Sequence, residues 1–315
     1  MEYRKLIGFG KGSYVLSLPK SWVKQCNIKQ GDILQLEKRG EELVIRTGQK
    51  NVAEKEPRWS IIDITGLTSE TIETRIVSAY LSNSDYITVK GTQLTKQIRF
   101  IKSIFKSLPG MEIFEEDSGK IVFKDLIDLN EVSVKVLIRR IDNIVRGMLE
   151  ECFACETKDC YESIYQRDFE VNRLCFLSHR IIRSKLAGMN TQAPENEIEL
   201  LLEWGITTKL EKIGDRTKRI ARILSSMKKE KNILHELNEI QTQLQAAYLE
   251  LMKAYHNKDI KAAEAIELSS KKRALNCDRL LSIRSTAMLA QLVENLKGIN
   301  ISIRDIARDI VNLSE

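Results

Sequence analysis

Prolines are scarce in the second half of the chain, and this constrains the fold more than any other feature. Only Pro194 occurs between residues 130 and 315. Proline removes a backbone donor and clashes with the preceding helical turn, so its scarcity permits long uninterrupted helices. Apolar residues recur at 3-4 spacing from Leu237 to Ala254 and from Leu289 to Leu313, as in a helical bundle. Six helices are predicted, at about 130–156, 159–188, 195–228, 232–256, 259–277 and 280–313.

Residues 58–126 alternate between strand-like and helix-like segments. The pattern predicts strands at 60–64, 86–89, 111–114 and 120–123, and helices at 69–82 and 93–107. The order βαβαββ is typical of a small two-layer α/β domain.

The first fifty residues form a basic module with β character. They contain ten Lys and Arg against five Asp and Glu, whereas the other residues contain 40 against 39. A compact basic region beside a neutral body indicates contact with a polyanion. The chain is therefore predicted to be a multidomain α+β protein, with domains at 1–50, 58–126 and 130–315.

The segment Gly10 to Lys20, followed by Lys29-Gln30-Gly31-Asp32, resembles the AbrB/SpoVT swapped-hairpin family. The resemblance covers about residues 3–47 and implies a homodimer formed through residues 1–50. About forty-five residues bury too little to be stable alone, which agrees with that expectation. The family's DNA-facing positions are carried onto Arg4, Lys5, Lys11, Ser13, Lys20 and Lys24. The alternative is that these residues are an ordinary solvated face and the module only dimerises.

Two helical segments, 167–174 and 210–221, resemble signatures of the PhoU proteins, which regulate phosphate uptake. The second reads L-E-K-I-G-D-R-T-K-R-I-A. The resemblance covers about residues 130–315 and implies two three-helix bundles in pseudo-repeat. An order of AbrB-like head, α/β domain and PhoU-like body resembles archaeal phosphate-uptake regulators.

Acidic residues within these two segments are spaced to share a face. Asp168 and Asn172 lie at i, i+4 on one predicted helix, and Glu211 and Asp215 on the next. Their oxygens could hold a divalent or iron-type metal ion in the first bundle, and Gly214 is expected to allow close helix approach. The alternative is a salt-bridged exterior, with Glu211 paired to Lys212 or Arg216 and Asp215 to Lys218 or Arg219.

The second half of the helical region departs from this pattern. The corresponding stretches, 296–302 and 269–273, carry Lys, Ile, Ser and Arg where the pattern requires acids. A metal site is therefore expected in the first bundle only.

Cys152, Cys155 and Cys160 have a spacing that zinc or redox sites use, but no second CxxC accompanies them. The alternative is half-buried structural residues, and all six cysteines are expected to be reduced. No apolar run is long enough to span a membrane and no secretory signal is visible, so a cytoplasmic location is expected. The histidines are isolated and no catalytic grouping is visible, so the chain is not expected to be an enzyme.

Together these features favour a DNA-binding transcriptional regulator of phosphate uptake with a PhoU-like sensing body. One alternative is an adaptor that dimerises through its head and modulates a phosphate transporter or sensor kinase without binding DNA. A metal-dependent hydrolase is disfavoured because no nucleophile or base accompanies the carboxylates.

Overall fold

A computed structural model describes residues 3–10, 12–40, 42–47, 56–153, 158–188, 196–226, 231–283 and 286–312. The chain divides into two compact units, Met1–Glu56 and Pro57–Glu315. None of the helices in the described ranges is long and apolar enough to cross a membrane.

The first unit consists of short hairpins and one short helix. Its described elements are β1 (Ile7–Phe9), β2 (Ser13–Val15), α1 (Lys20–Gln25), β3 (Leu34–Arg39) and β4 (Glu42–Thr47). β1 pairs with β2 and β3 pairs with β4, both antiparallel.

None of the side chains described between residues 3 and 47 is buried. Large apolar side chains are instead open to solvent, among them Phe9 at 70%, Tyr14 at 72% and Ile33 at 83% exposure. A single copy of this unit therefore has no hydrophobic core of its own in the described residues.

The second unit begins with the predicted βαβαββ domain. Its elements are β5 (Trp59–Asp63), α2 (Ser69–Leu81), β6 (Tyr86–Lys90), α3 (Leu94–Lys106), β7 (Met111–Glu116) and β8 (Lys120–Asp125). The described strands form a sheet of order β5-β6-β8-β7, in which β5 and β6 are parallel and the other neighbours antiparallel. The sequence prediction is confirmed, with strand ends shifted by a few residues.

Alternation along the strands places one face of this sheet against α2 and α3. Ile87, Val89, Ile121 and Phe123 are buried there with apolar residues of both helices. The turn before β7 requires glycine, because Gly110 has φ +86° and an added Cβ would lie 2.6 Å from Ile127 Cγ1.

Six long helices follow in the described residues, as the scarcity of proline predicts. They are α4 (Val134–Phe153), α5 (Lys158–Leu186), α6 (Glu197–Ser226), α7 (Lys231–Asn257), α8 (Ile260–Ile283) and α9 (Ala287–Asn312). α4–α6 pack together and so do α7–α9, and α6 packs on α9 between these two three-helix bundles. The predicted stripes of α7 and α9 are buried in one shared core, while Leu313 and Pro194 lie outside the described residues.

The predicted break between the last two helices is wrong by several residues. α8 continues to Ile283 instead of ending near Cys277, which is buried. α9 begins only after Thr286, whose Oγ1 accepts a hydrogen bond from the Leu289 N–H at 3.2 Å. This threonine cap, not a glycine or proline, marks the boundary.

A buried arginine joins the α/β domain to the first bundle. Arg180 of α5 is only 1% exposed. Its Nη2 donates to Asp125 Oδ2 at the end of β8 at 2.5 Å, and its Nε donates to Asn83 Oδ1 at 3.2 Å. The guanidinium also lies 4.5 Å from the ring centroid of Tyr80. Burial raises the pKa of Tyr80 to about 12, and its hydroxyl donates to Pro109 O.

We predict that Arg180→Met lowers the free energy of unfolding by about 3–5 kcal/mol, because Asp125 is left buried without its cation. The double variant Arg180→Met/Asp125→Asn should recover part of this loss. Urea unfolding of both variants and the native chain measures the effect. Equal stability of native chain and single variant would contradict this role for the ion pair.

Candidate functional site

A carboxylate cluster lies where α5 and α6 pack together in the first bundle. Asp168 of α5 is 3% exposed. Lys218 of α6 places its Nζ 2.5 Å from Asp168 Oδ2 and 3.0 Å from Asp215 Oδ1. Arg219 Nη2 lies 2.5 Å from the other oxygen of Asp215. The cluster thus already holds one ammonium group between two of the predicted ligand residues.

Two oxygens of the predicted ligand set have no hydrogen-bond partner among the described residues. They are Asp168 Oδ1 and Asn172 Oδ1, and both are buried. A buried oxygen without a donor is costly, and such atoms commonly face a bound ion or water. The two residues lie one turn apart on α5, so their side chains leave the helix on the same side.

The electrostatics of the cluster disfavour full ionisation. Burial raises the pKa of Asp168, against the opposing effect of the Lys218 ammonium. Burial also raises the pKa of Glu211, with further contributions from the charges of Asp215 and Asp168. Three carboxylates therefore act on one another here, and added positive charge would stabilise their ionised forms.

The oxygen donors of this cluster suit a cation that prefers oxygen ligands, but the side chains are not arranged as a metal coordination sphere. Within the described ranges, no group of three or more His, Cys, Asp or Glu side chains is arranged to hold a metal. The Lys218 ammonium supplies the compensating charge instead. A metal ion held by Asp168, Asn172, Glu211 and Asp215 would have to displace it.

The predicted salt-bridge alternative describes part of the cluster. Asp215 pairs with both Lys218 and Arg219, as that alternative requires. Glu211 makes no ion pair with a described residue. Arg216 instead lies against Gly298 of α9, where an added Cβ would collide with its guanidinium group.

Gly214 does not have the role expected from the sequence. An added Cβ there would lie 3.7 Å from Met148 Cε and 3.8 Å from Val171 Cγ1, which are ordinary contacts. A more crowded glycine is Gly298 in the second bundle, where the Arg216 guanidinium occupies the space that a Cβ would fill.

The second bundle holds a buried arginine near the position where the sequence lacks acids. Arg273 of α8 is 8% exposed. Its guanidinium donates to Asn300 Oδ1 at 2.8 Å, to Ser269 Oγ at 2.5 Å and to Ile266 O at 2.8 Å. Burial lowers its pKa below the usual value.

The sequence indicates Lys218 only as a possible salt-bridge partner of Asp215, and its contact with Asp168 was not predicted. Its only signal was its position three residues after Asp215, which places both on one helical face. The contact with Asp168, 50 residues earlier, depends on how α5 packs on α6. The Lys218 Nζ also lies 5.9 Å from the ring centroid of Tyr165.

The basic residues predicted to face DNA belong to the first unit. Arg4, Lys5, Ser13, Lys20 and Lys24 are all exposed in the single chain. Lys11 lies outside the described residues. The exposed positions are compatible with contact to a polyanion and equally with a solvated face.

The cysteines and the partly buried histidine do not form a reactive site in the described residues. Cys152 is a free, buried thiol whose pKa is raised by burial, so it is a poor thiolate ligand. Cys160 is disulfide-bonded, so the expectation that every cysteine is reduced is wrong, while Cys155 lies outside the described residues. His179 stacks on Trp204, and burial lowers its pKa to about 4.

Two known protein families match separate parts of the chain. Residues 9–52 match the family described as "Antidote-toxin recognition MazE, bacterial antitoxin". Residues 138–224, which include the carboxylate cluster, match the PhoU domain. No curated protein matches the chain.

Among solved structures, the crystal structure of PhoU from Pseudomonas aeruginosa is similar, with a TM-score of 0.51 and 15% sequence identity. The match covers 57% of this chain and 95% of that one. At this identity the likeness shows the fold alone. The chain therefore joins a MazE/AbrB-like N-terminal domain to a PhoU domain.

Proposed function

We propose that this protein is a dimeric, DNA-binding regulator of phosphate uptake, in which the helical body senses a cation through the carboxylate cluster. The MazE-like and PhoU domains together support a phosphate-related regulator. The proposed dimer and DNA binding rest on one observation about the first unit. It is basic and exposed, and it has no core of its own among its described residues.

The exposed apolar side chains of that unit support dimer formation. A second copy would bury Phe9, Tyr14 and Ile33, each now more than two-thirds exposed. Exchange of hairpins between two chains would also pair free strand edges. Two copies would then present two sets of basic side chains to one duplex, where they would bind mainly phosphates.

The carboxylate cluster supports cation binding by the body. Its unpaired oxygens and mutually repelling carboxylates are partly compensated by Lys218, whose side chain is 22% exposed. A cation can change DNA affinity only if it binds the DNA-competent and DNA-incompetent states with different affinity. The proposed chemistry is therefore binding and charge compensation, with no reaction step.

We predict that the triple variant Arg4→Ala/Lys20→Ala/Lys24→Ala binds DNA from upstream of its own gene more weakly than the native chain at each salt concentration tested. The slope of log affinity against log salt should fall by about 1 for each phosphate that the variant no longer neutralises. Fluorescence anisotropy at several salt concentrations measures both quantities.

The exposed pair Lys271→Ala/Lys272→Ala in α8 is the matched control and should leave binding unchanged. If the native chain does not bind this DNA at low salt, the proposal that it binds DNA is wrong. The adaptor hypothesis would then become the better account.

We predict that removal of residues 1–50 converts the dimer to a monomer, because the second unit has its own cores and the first does not. Sedimentation velocity with native and truncated protein checks this. A truncated protein that stays dimeric would place the dimer interface in the helical body.

We predict that Glu211→Gln makes the metal-free protein more stable at neutral pH and abolishes stabilisation by metal. The raised pKa of Glu211 means that the folded state binds its proton more tightly than the unfolded state. The stability that this proton provides is present at low pH and is lost as pH rises through the folded pKa. A glutamine cannot ionise, so the variant keeps this stability at neutral pH.

Thermal unfolding with EDTA and with added Mn²⁺, Zn²⁺ or Mg²⁺ measures both effects.

Lys218→Met provides the opposite case. It should lower metal-free stability by about 1–3 kcal/mol, since Asp168 loses its partner, and strengthen metal binding. Metal stabilisation that is equal in all three proteins would exclude the cluster as the binding site.

A further inference from the structure

A cavity of about 600 Å³ lies between the two helical bundles, away from the carboxylate cluster. Small-molecule sites commonly measure about 300–1,000 Å³. Its wall combines cationic side chains with apolar ones, and residues from the first and the second bundle both contribute. The cationic lining residues are Lys135, Arg139 and Lys258. The apolar ones include Leu202, Ile260 and Ile310.

The polar wall is positive. The lining contains three basic side chains and one carboxylate, Glu199. Arg139 makes no ion pair with any carboxylate in the described parts of the chain. Its planar guanidinium suits the bidentate binding of a phosphate or carboxylate group.

Helix starts strengthen this positive field. Lys135 lies in the first turn of α4, Glu199 in the first turn of α6, and Ile260 is the first residue of α8. The N-terminal end of a helix carries partial positive charge and favours anions. The start of α8 is already capped by Asp259, whose Oδ1 accepts from the Ala262 N–H at 3.1 Å, so the starts of α4 and α6 add most to the charge of the side chains.

Glu199 shows that a carboxylate is stable in this position. Its Oε1 lies 2.9 Å from Lys135 Nζ and 3.7 Å from Lys258 Nζ. The hydrogen bond from Lys135 lowers the pKa of Glu199. Both lysine side chains are well exposed, so these pairs are weak and easily exchanged for another anion.

Lys258 is held in an unfavourable backbone conformation at the cavity. It follows the last residue of α7 and has φ +54°, where glycine or asparagine is usual. A strained residue at a ligand-sized cavity is consistent with a role for its side chain.

The apolar wall limits which anion fits. Tyr255 and Leu202 both line the cavity, and the Tyr255 ring centroid lies 5.1 Å from that of His256. Burial raises the pKa of Tyr255. A half-buried aromatic ring offers a face on which a flat ring can stack. A bare inorganic ion would leave this surface unused.

We infer that this cavity binds a small organic phosphate with a flat apolar body, such as a nucleoside monophosphate. Arg139 and Lys258 would bind the phosphate in competition with Glu199, and the body would lie against Tyr255 and Leu202. A role as effector site of the regulator rests on the proposed function, whereas the binding itself does not.

Isothermal titration calorimetry of the full chain, in EDTA and without DNA, tests the inference with three probes. AMP carries both the phosphate and the flat body, whereas inorganic phosphate and adenosine each carry one. AMP should bind more tightly than either probe alone. Arg139→Gln and Lys258→Gly should each weaken AMP binding by about tenfold or more.

Two further variants complete the test. Glu199→Gln should strengthen AMP binding several-fold, because it removes the competing charge, and Lys271→Gln on the outside of α8 should change nothing. Lys258→Gly removes the side chain and also relieves the backbone, so it should keep or raise the unfolding temperature while binding falls.

The inference fails if AMP does not bind at millimolar concentration. It also fails if Arg139→Gln and Lys258→Gly bind AMP as the native chain does, or if inorganic phosphate binds as tightly as AMP. None of these outcomes bears on DNA binding by the head or on metal binding by Glu211, which are measured separately.

Discussion

Helix α6 packs on α4, α5 and α9, and both candidate ligand sites of the body depend on that packing. It is thirty residues long, and its buried positions extend from Leu200 to Leu224. Near its start it contributes Glu199 to the cavity, and further along it contributes Glu211, Asp215 and Lys218 to the carboxylate cluster. Because one rigid helix carries both sites, a shift of α6 on binding at one site would reach the other.

The long elements could be predicted from the sequence because a single physical rule governs them. Scarcity of proline and the apolar stripe from Leu289 onward determined the helices, and alternation of strand and helix patterns determined the βαβαββ domain. The boundary between α8 and α9 was misplaced because Thr286 caps the helix without any glycine or proline nearby. A lone threonine is too common a residue to mark a helix start by itself.

The sites could be predicted only in part, because their chemistry depends on contacts between helices. The i, i+4 pairs on α5 and α6 were visible as spacing, but the contact of Lys218 with Asp168 requires the two helices to be packed. The role expected of Gly214 was wrong for the same reason, since helix crossing decides which glycine is crowded. The cavity gave no sequence signal, because Arg139, Glu199 and Lys258 come from separate helices and a turn.

The two bundles compensate buried charge in different ways, and under the proposed function this decides which of them would respond to a cation. In the second bundle Arg273 is 8% exposed and is held by three neutral partners, so its side chain has no easy path to solvent. In the first bundle the Lys218 side chain is 22% exposed and lies against carboxylates. Its flexible stem can move into solvent when a stronger cation arrives, which keeps the charge of the cluster balanced. Under the proposed function, the same fold would therefore hold one fixed and one exchangeable cation, and only the exchangeable one could act as a sensor.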